Sequence, residues 1–255
     1  MDNSLPRDVQ MQFMRPAQLE RALREFPAVY VPFGLIEWHG RHLPLGNDAL
    51  KAHAFLVKVA ERCGGVVYPP VFFPCATAAD GTLAEEDRRW KVPMVTALFA
   101  RLKAAGCRVI IGVSGHNIRE QLEMIRRGLE PVTADGTVAG DALFEVMPEW
   151  AEEHDGECGG DHAARWETSN MMFFYPELVD LDELGDGPLA PNMQAPDGIG
   201  GLDPREHAGA EAGRRNVEIA VQIIGRRARE LLESLPEGER EFRLEAISPE
   251  HWWCV

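Results

Sequence analysis

The sequence predicts a single α/β domain over residues 1–255, with a mostly parallel β-sheet flanked by helices on both faces. Three observations predict it. Continuous apolar runs at 28–36, 66–73 and 107–113 have the composition of strands covered on both sides, as parallel strands are. Between and after them, 49–62, 92–105 and 118–129 show helical periodicity and are long enough for crossovers. Two of the apolar runs also pass directly into a glycine-containing polar loop that opens a helix, at 36–48 and 114–117. That is the carboxyl edge of the sheet, where ligands of open α/β folds bind.

Each element has its own justification. Pro16 to Phe26 is a short amphipathic helix, and Ala28 to Ile36 is the first strand. The helix Ala49 to Arg62 ends at Gly64-Gly65, because glycine accepts the left-handed conformation that closes a helix. Val66 to Phe73 is a strand interrupted by Pro69-Pro70, which donate no ladder hydrogen bond. The loop Pro74 to Trp90 is long for a connection and is expected to be a flap over a site. Val92 to Ala105 is helical until Gly106; Cys107 to Val113 is the next strand and Ile118 to Leu129 the next helix. Val138 to Met147 suits a strand or hairpin arm, and the glycines of Asp155 to Gly160 allow close backbone approach to a ligand. Thr168 to Phe174 is helical and Asp186 to Gly201 a loop. Pro204 to Leu232 is a long amphipathic helix with an Ala, Val and Ile face for the sheet. The tail Glu237 to Val255 becomes aromatic at Trp252 and Trp253, as a subunit contact or the rim of a neighbour's pocket would.

Composition removes several functions. Acidic residues number 41 against 26 basic ones, a formal charge of -15, which argues against nucleic acid or an anionic membrane as partner. Met1 to Gln12 is too polar for a signal peptide, and no apolar run reaches the ~18 residues of a membrane span. Cys63, Cys75, Cys107, Cys158 and Cys254 are scattered, with no Cys-x-x-Cys pair. Such thiols suit a reducing cytoplasm, the expected location, and not a cysteine-built zinc site. There is no Gly-x-Ser-x-Gly elbow and no glycine-rich phosphate loop with lysine.

The chemistry concentrates in Ile36-Glu37-Trp38-His39-Gly40-Arg41-His42-Leu43-Pro44-Leu45-Gly46-Asn47-Asp48. Glu37 and His39, two apart on a strand, would project from one face. Carboxylate, imidazole and a second carboxylate are donors for a borderline divalent cation such as zinc or manganese. Taken singly, Asp48 could cap the following helix, His42 could be a surface histidine and Glu37 a solvated strand end. The density of acids and histidines in an otherwise apolar stretch favours a site. His116 follows Ser114-Gly115 at another strand end, on the same sheet edge as Glu37 and His39 if the strands are parallel. In Asp161-His162-Ala163-Ala164-Arg165-Trp166-Glu167-Thr168-Ser169, Glu167 could simply favour a helix macrodipole, worth ~0.3–1 kcal/mol.

At these residues the chain resembles the creatininase family, whose members carry Glu-x-His-Gly-x-His-Leu-Pro and a following Asp. Glu37, His39, Gly40, His42, Leu43, Pro44 and Asp48 match. The resemblance continues in Gly115-His116, in His162-Ala163 with Glu167-Thr168-Ser169, and in Tyr175-Pro176-Glu177-Leu178-Val179-Asp180. It implies two divalent metal ions, zinc or manganese with iron a further candidate, bridged by Asp48. One would also be held by Glu37 and His116, the other by His39 and Glu167. His162 would be the acid/base, with Glu167 counted beside it as catalytic. His42, Arg119, Arg165 and Trp166 are the expected substrate contacts.

The implied activity is hydrolytic: a metal-held hydroxide attacks a carbonyl of a small cyclic substrate, by default a lactam or cyclic amide, and His162 gives the leaving atom its proton. Some members supply an acid two residues beyond the Gly-His histidine, where this chain has Ile118. The family's His-Ala-Gly-Glu-x-Glu-Thr-Ser here reads His-Ala-Ala-Arg-Trp-Glu-Thr-Ser. Creatinine itself is therefore not the expected substrate. The alternative is a cyclic polyhydroxy ketone, such as an oxidised inositol, opened by C–C hydrolysis, since some relatives are associated with inositol breakdown. A further alternative is a non-catalytic metal-binding assembly protein, whose mark would be loss of His162 or Glu167; both are present. The resemblance also implies a homo-oligomer, specifically a hexamer.

Overall fold

The fold is built around β1 (Ala28–Gly34), buried along its whole length. In the computed structural model, which describes residues 5–73, 83–189 and 197–243, β1 pairs on one side with β2 (Val66–Val67) and β3 (Val71–Phe72) and on the other with β4 (Val109–Ser114). β5 (Ala139–Phe144) extends the sheet beyond β4, and every pairing is parallel.

Side-chain alternation assigns the two faces. Val29, Val31 and Phe33 of β1 pack with α1 (Pro16–Glu25), α3 (Glu85–Ala104) and α4 (Arg119–Thr133). Ala28 and Tyr30 face the other way, onto α2 (Asn47–Cys63) and α8 (Ala210–Ser234). Gly112 is open where Ile125 presses in: a Cβ there would lie 2.4 Å from Ile125 Cγ2. The helices thus cover both faces of a mostly parallel sheet, as the continuous apolar runs predict.

Three elements depart from expectation. β1 stops at Gly34 and does not reach Ile36, so Glu37 and His39 lie beyond the ladder and strand alternation does not aim them. The reason is local: Leu35 N donates to Asp48 Oδ2 and Glu37 N to Leu45 O, bonds of a loop. α3 begins at Glu85, ahead of Val92, because Glu85, Glu86 and Asp87 suit the positive end of a helix; residues 85–90 of the expected flap are therefore helical, and 74–82 lie outside the described residues. The expected helix from Pro204 to Leu232 is two, α7 (Pro204–His207) and α8, after α5 (Pro148–Glu153) and α6 (Arg165–Phe174). The break lets Gly209 N reach Ser169 Oγ at 3.0 Å on α6.

Pro69-Pro70 separates β2 from β3 as expected. Opposite that break lies Pro32: Tyr30 O accepts from Tyr68 N while Phe33 O accepts from Gly115 N, so Pro32 shares Tyr30's side and its missing donor meets the interrupted partner. Among the described residues no helix is long and apolar enough to cross a membrane. Trp252 and Trp253 lie outside the described residues, as do residues 190–196 of the expected loop.

Candidate metal centre

Four segments bring ligand-type side chains to the carboxyl edge of the sheet. The β1–α2 loop carries Glu37 and His39, the first turn of α2 carries Asp48, the end of β4 leads to His116, and His162 and Glu167 flank the start of α6. Two glycines make the approach possible. A Cβ on Gly34 would lie 2.3 Å from Ala49 N, and one on Gly115 would lie 2.1 Å from Asp48 O. Both strand ends therefore press on the backbone that carries Asp48, a contact only glycine allows.

Asp48 faces two ways. Its Oδ1 is 2.9 Å from His39 Nε2, and its Oδ2 is 3.4 Å from His116 Nδ1. Glu37 Oε1 is 3.0 Å from His116 Nδ1 and 3.5 Å from His39 Nε2, while Glu167 Oε2 is 3.5 Å from His39 Nε2. Two trios result, Glu37 with Asp48 and His116, and His39 with Asp48 and Glu167; within each, the donor atoms lie within 4.8 Å of one another. Glu37, His39 and His162 form a third such group. His162 Nδ1 is 3.8 Å from Glu37 Oε1, and Trp38 O accepts from its Nε2 at 3.1 Å.

These residues fit divalent cations. Glu37 Oε1, His39 Nε2 and Asp48 Oδ1 are buried and have no hydrogen-bond partner of good geometry among the described residues, yet they converge. Buried polar atoms left so are costly unless something else satisfies them. Without a cation the charged carboxylates favour protonated imidazoles. Burial pulls His39 down, but Glu167, Asp48 and Glu37 outweigh it and raise the imidazole to about 9. His116 is likewise raised to about 9, burial being overcome by Asp48 and Glu37. Burial pushes Asp48 up, yet His116, His39 and Lys51 hold it well below the usual carboxylate range.

Glu167 is clamped. Ala163 N donates to its Oε2 at 2.7 Å and Lys51 Nζ to its Oε1 at 2.6 Å. Ala163 sits at φ 50°, a left-handed conformation rare for alanine, which turns its N–H onto that carboxylate. Asp161 caps α6 by accepting from Trp166 N and Glu167 N at 2.8 and 3.1 Å; burial and the Glu167 charge push its carboxyl up to about 6. Lys51, Glu145, Asp161 and Ala163 were not singled out by the sequence. Only Lys51 left a signal there, a lysine on the apolar side of a helix one turn after Asp48.

A cavity of about 790 Å³ opens at the site, lined by Asp48, His116, His162 and Glu167 and by Arg165 and Trp166. The Arg165 guanidinium lies 4.2 Å over the Trp166 ring. The other two expected substrate contacts do not line it. Arg119 is exposed at the start of α4. His42 is 2% exposed with its Nε2 2.9 Å from Thr168 Oγ1, and burial holds its imidazole down at about 4.

The family model Creatininase, described as creatinine amidohydrolase, matches residues 12–227. Creatinine amidohydrolase of Pseudomonas putida is 28% identical over 240 residues, covering 78% of this chain and 88% of that protein. A mycofactocin precursor peptide peptidase of Mycobacterium ulcerans (strain Agy99) is 27% identical over 230 residues, covering 80% and 86%. A solved mutant creatininase described as Zn-Zn type superposes with a TM-score of 0.65 at 23% identity, covering 87% of this chain and 97% of that one; the likeness is one of fold.

Proposed function

This chain belongs to the creatininase family of hydrolases, and from that premise we propose that its two trios each hold one divalent cation, zinc or manganese, and that the centre opens a small cyclic substrate at a carbonyl carbon. The observation that carries the reading is Asp48, which offers Oδ1 to the His39 side and Oδ2 to the His116 side. When bound, a pair of dications supplies Lewis-acid chemistry, drawing the pKa of a water towards neutrality and polarising the carbonyl oxygen.

The chain's own residues do the rest. Trp38 O takes the Nε2 hydrogen of His162, which leaves the Nδ1 lone pair free on the side of Glu37. Burial lowers His162, so the ring is neutral at pH 7 and can take a proton from the attacking water. Glu37 then stabilises the imidazolium, which returns the proton from Nδ1 to the departing nitrogen. Arg165, on the cavity wall, is suited to a carboxylate or a hydroxyl of the substrate. A cyclic polyhydroxy ketone would use the same arginine, with the proton going to carbon.

The cavity favours a second reading with the same chemistry. Its volume of about 790 Å³ is ample for more than one small ring, and the relative named a peptide peptidase points to an amide within a longer molecule. Elemental analysis with a substrate panel tests these readings. About two ions per chain, falling to about one in Glu167→Gln, supports the pair. Turnover of cyclic amides, cyclic polyhydroxy ketones or short peptides then selects the substrate class. A protein that takes up no divalent metal would remove the reading altogether.

A further inference from the structure

The ammonium of Lys51 is bonded directly among the donors, and none of the metal chemistry above uses it. It is fully buried, 0% exposed, on the helix that carries Asp48 and one turn after it. Its Nζ lies 2.5 Å from Glu145 Oε1, 2.6 Å from Glu167 Oε1 and 3.3 Å from Gly115 O. Three donors meet three acceptors, the full capacity of an ammonium. Those acceptors sit just past β5, on α6 and at the end of β4, immediately before His116.

We propose that Lys51 is a positioning residue for metal binding: by holding Glu167 Oε1 it presents Oε2 alone to the cation beside His39, and by holding Gly115 O it sets the backbone that aims His116. The proposal rests on the metal reading above. Two features of the geometry support it. Glu167 Oε2 is already turned to His39, 3.5 Å from Nε2, while Ala163 N fixes it from the other side, so the carboxylate has one orientation. A simple counter-ion for Glu145 would need no bond to Glu167 or Gly115, yet Lys51 makes both. Residues that orient ligands typically contribute ~10–100-fold in metal affinity.

The experiment is a zinc titration of metal-free protein against a chromophoric competitor, with thermal unfolding of the metal-free samples alongside. Three proteins are compared: wild type, Glu145→Gln, and the double variant Lys51→Met with Glu145→Gln. The double variant removes the buried pair together and leaves no unpaired Glu145. Glu145→Gln should bind zinc within about threefold of wild type. The double variant should melt within a few degrees of Glu145→Gln, yet lose ~10–100-fold in affinity at the position that uses Glu167. Equal zinc affinity in the double variant and in Glu145→Gln would overturn the proposal. So would a tenfold or greater loss in Glu145→Gln alone, which would assign the effect to the Glu145 charge. A double variant that does not fold overturns it as well, by making Lys51 a core residue. Wild type that binds no zinc would instead sink the metal reading itself.

Discussion

Metal uptake at this site should be an exchange of cations for protons, and its pH dependence follows from His39 and His116. Burial disfavours both charged rings, but Glu167, Asp48 and Glu37 around His39, and Asp48 and Glu37 around His116, raise both to about 9 in the metal-free protein. A cation takes only the neutral ring. At pH 7 each imidazole is therefore about two pH units on the protonated side, and each ion's affinity is lowered roughly a hundredfold, ~2.7 kcal/mol. That competition should relax about tenfold per pH unit as the pH rises. Calorimetric zinc titration in buffers of different ionisation enthalpy reads it directly, as about one proton released per ion at pH 7. Stability gives a second readout. A histidine whose folded pKa is above its unfolded value stabilises the protein below the unfolded value and loses that contribution as the pH rises through the folded one. The metal-free protein should thus lose stability between pH 6.5 and about 9, and the stabilisation by zinc should grow over the same window. Zinc affinity flat from pH 6.5 to 8.5, without proton release, would refute the reasoning.

Further outcomes follow from individual residues. Asp48→Asn keeps an acceptor for Leu35 N but removes the charge facing both imidazoles, so both ions should be lost; two ions with normal turnover would exclude the shared carboxylate. His162→Ala should keep the metal and lose ~10²–10⁴-fold in rate, whereas release of metal would make His162 a ligand, as its grouping with Glu37 and His39 permits. Gly115→Ala would place a Cβ 2.1 Å from Asp48 O. Forcing the backbones apart should cost about 1–3 kcal/mol, and calorimetry should show Tm lower by several degrees with weaker zinc binding.

The apolar runs of β1 and β4 and the helices after them determined the sheet and its carboxyl edge, because a strand covered on both faces must be apolar throughout. Glu37, His39, Asp48 and His116 stood out for the same reason, as donors at the ends of such runs, and their resemblance to a family pattern added Glu167 and His162. Local periodicity misjudged what long-range contacts control. β1 ends at Gly34 because Asp48 captures Leu35 N, and the last long helix breaks at Gly209 because Ser169 of α6 captures its amide. His42 and Arg119 were expected to touch substrate; neither lines the cavity, His42 lying buried against Thr168 and Arg119 exposed on α4. Lys51 shows the division most plainly. Its place in the chain was visible, but its partners lie 64 residues away at Gly115 and 116 away at Glu167. Sequence alone determined which residue types could bind metal and on which edge of the sheet. Only tertiary structure decided which of them meet, because burial among distant segments sets both their geometry and their charge.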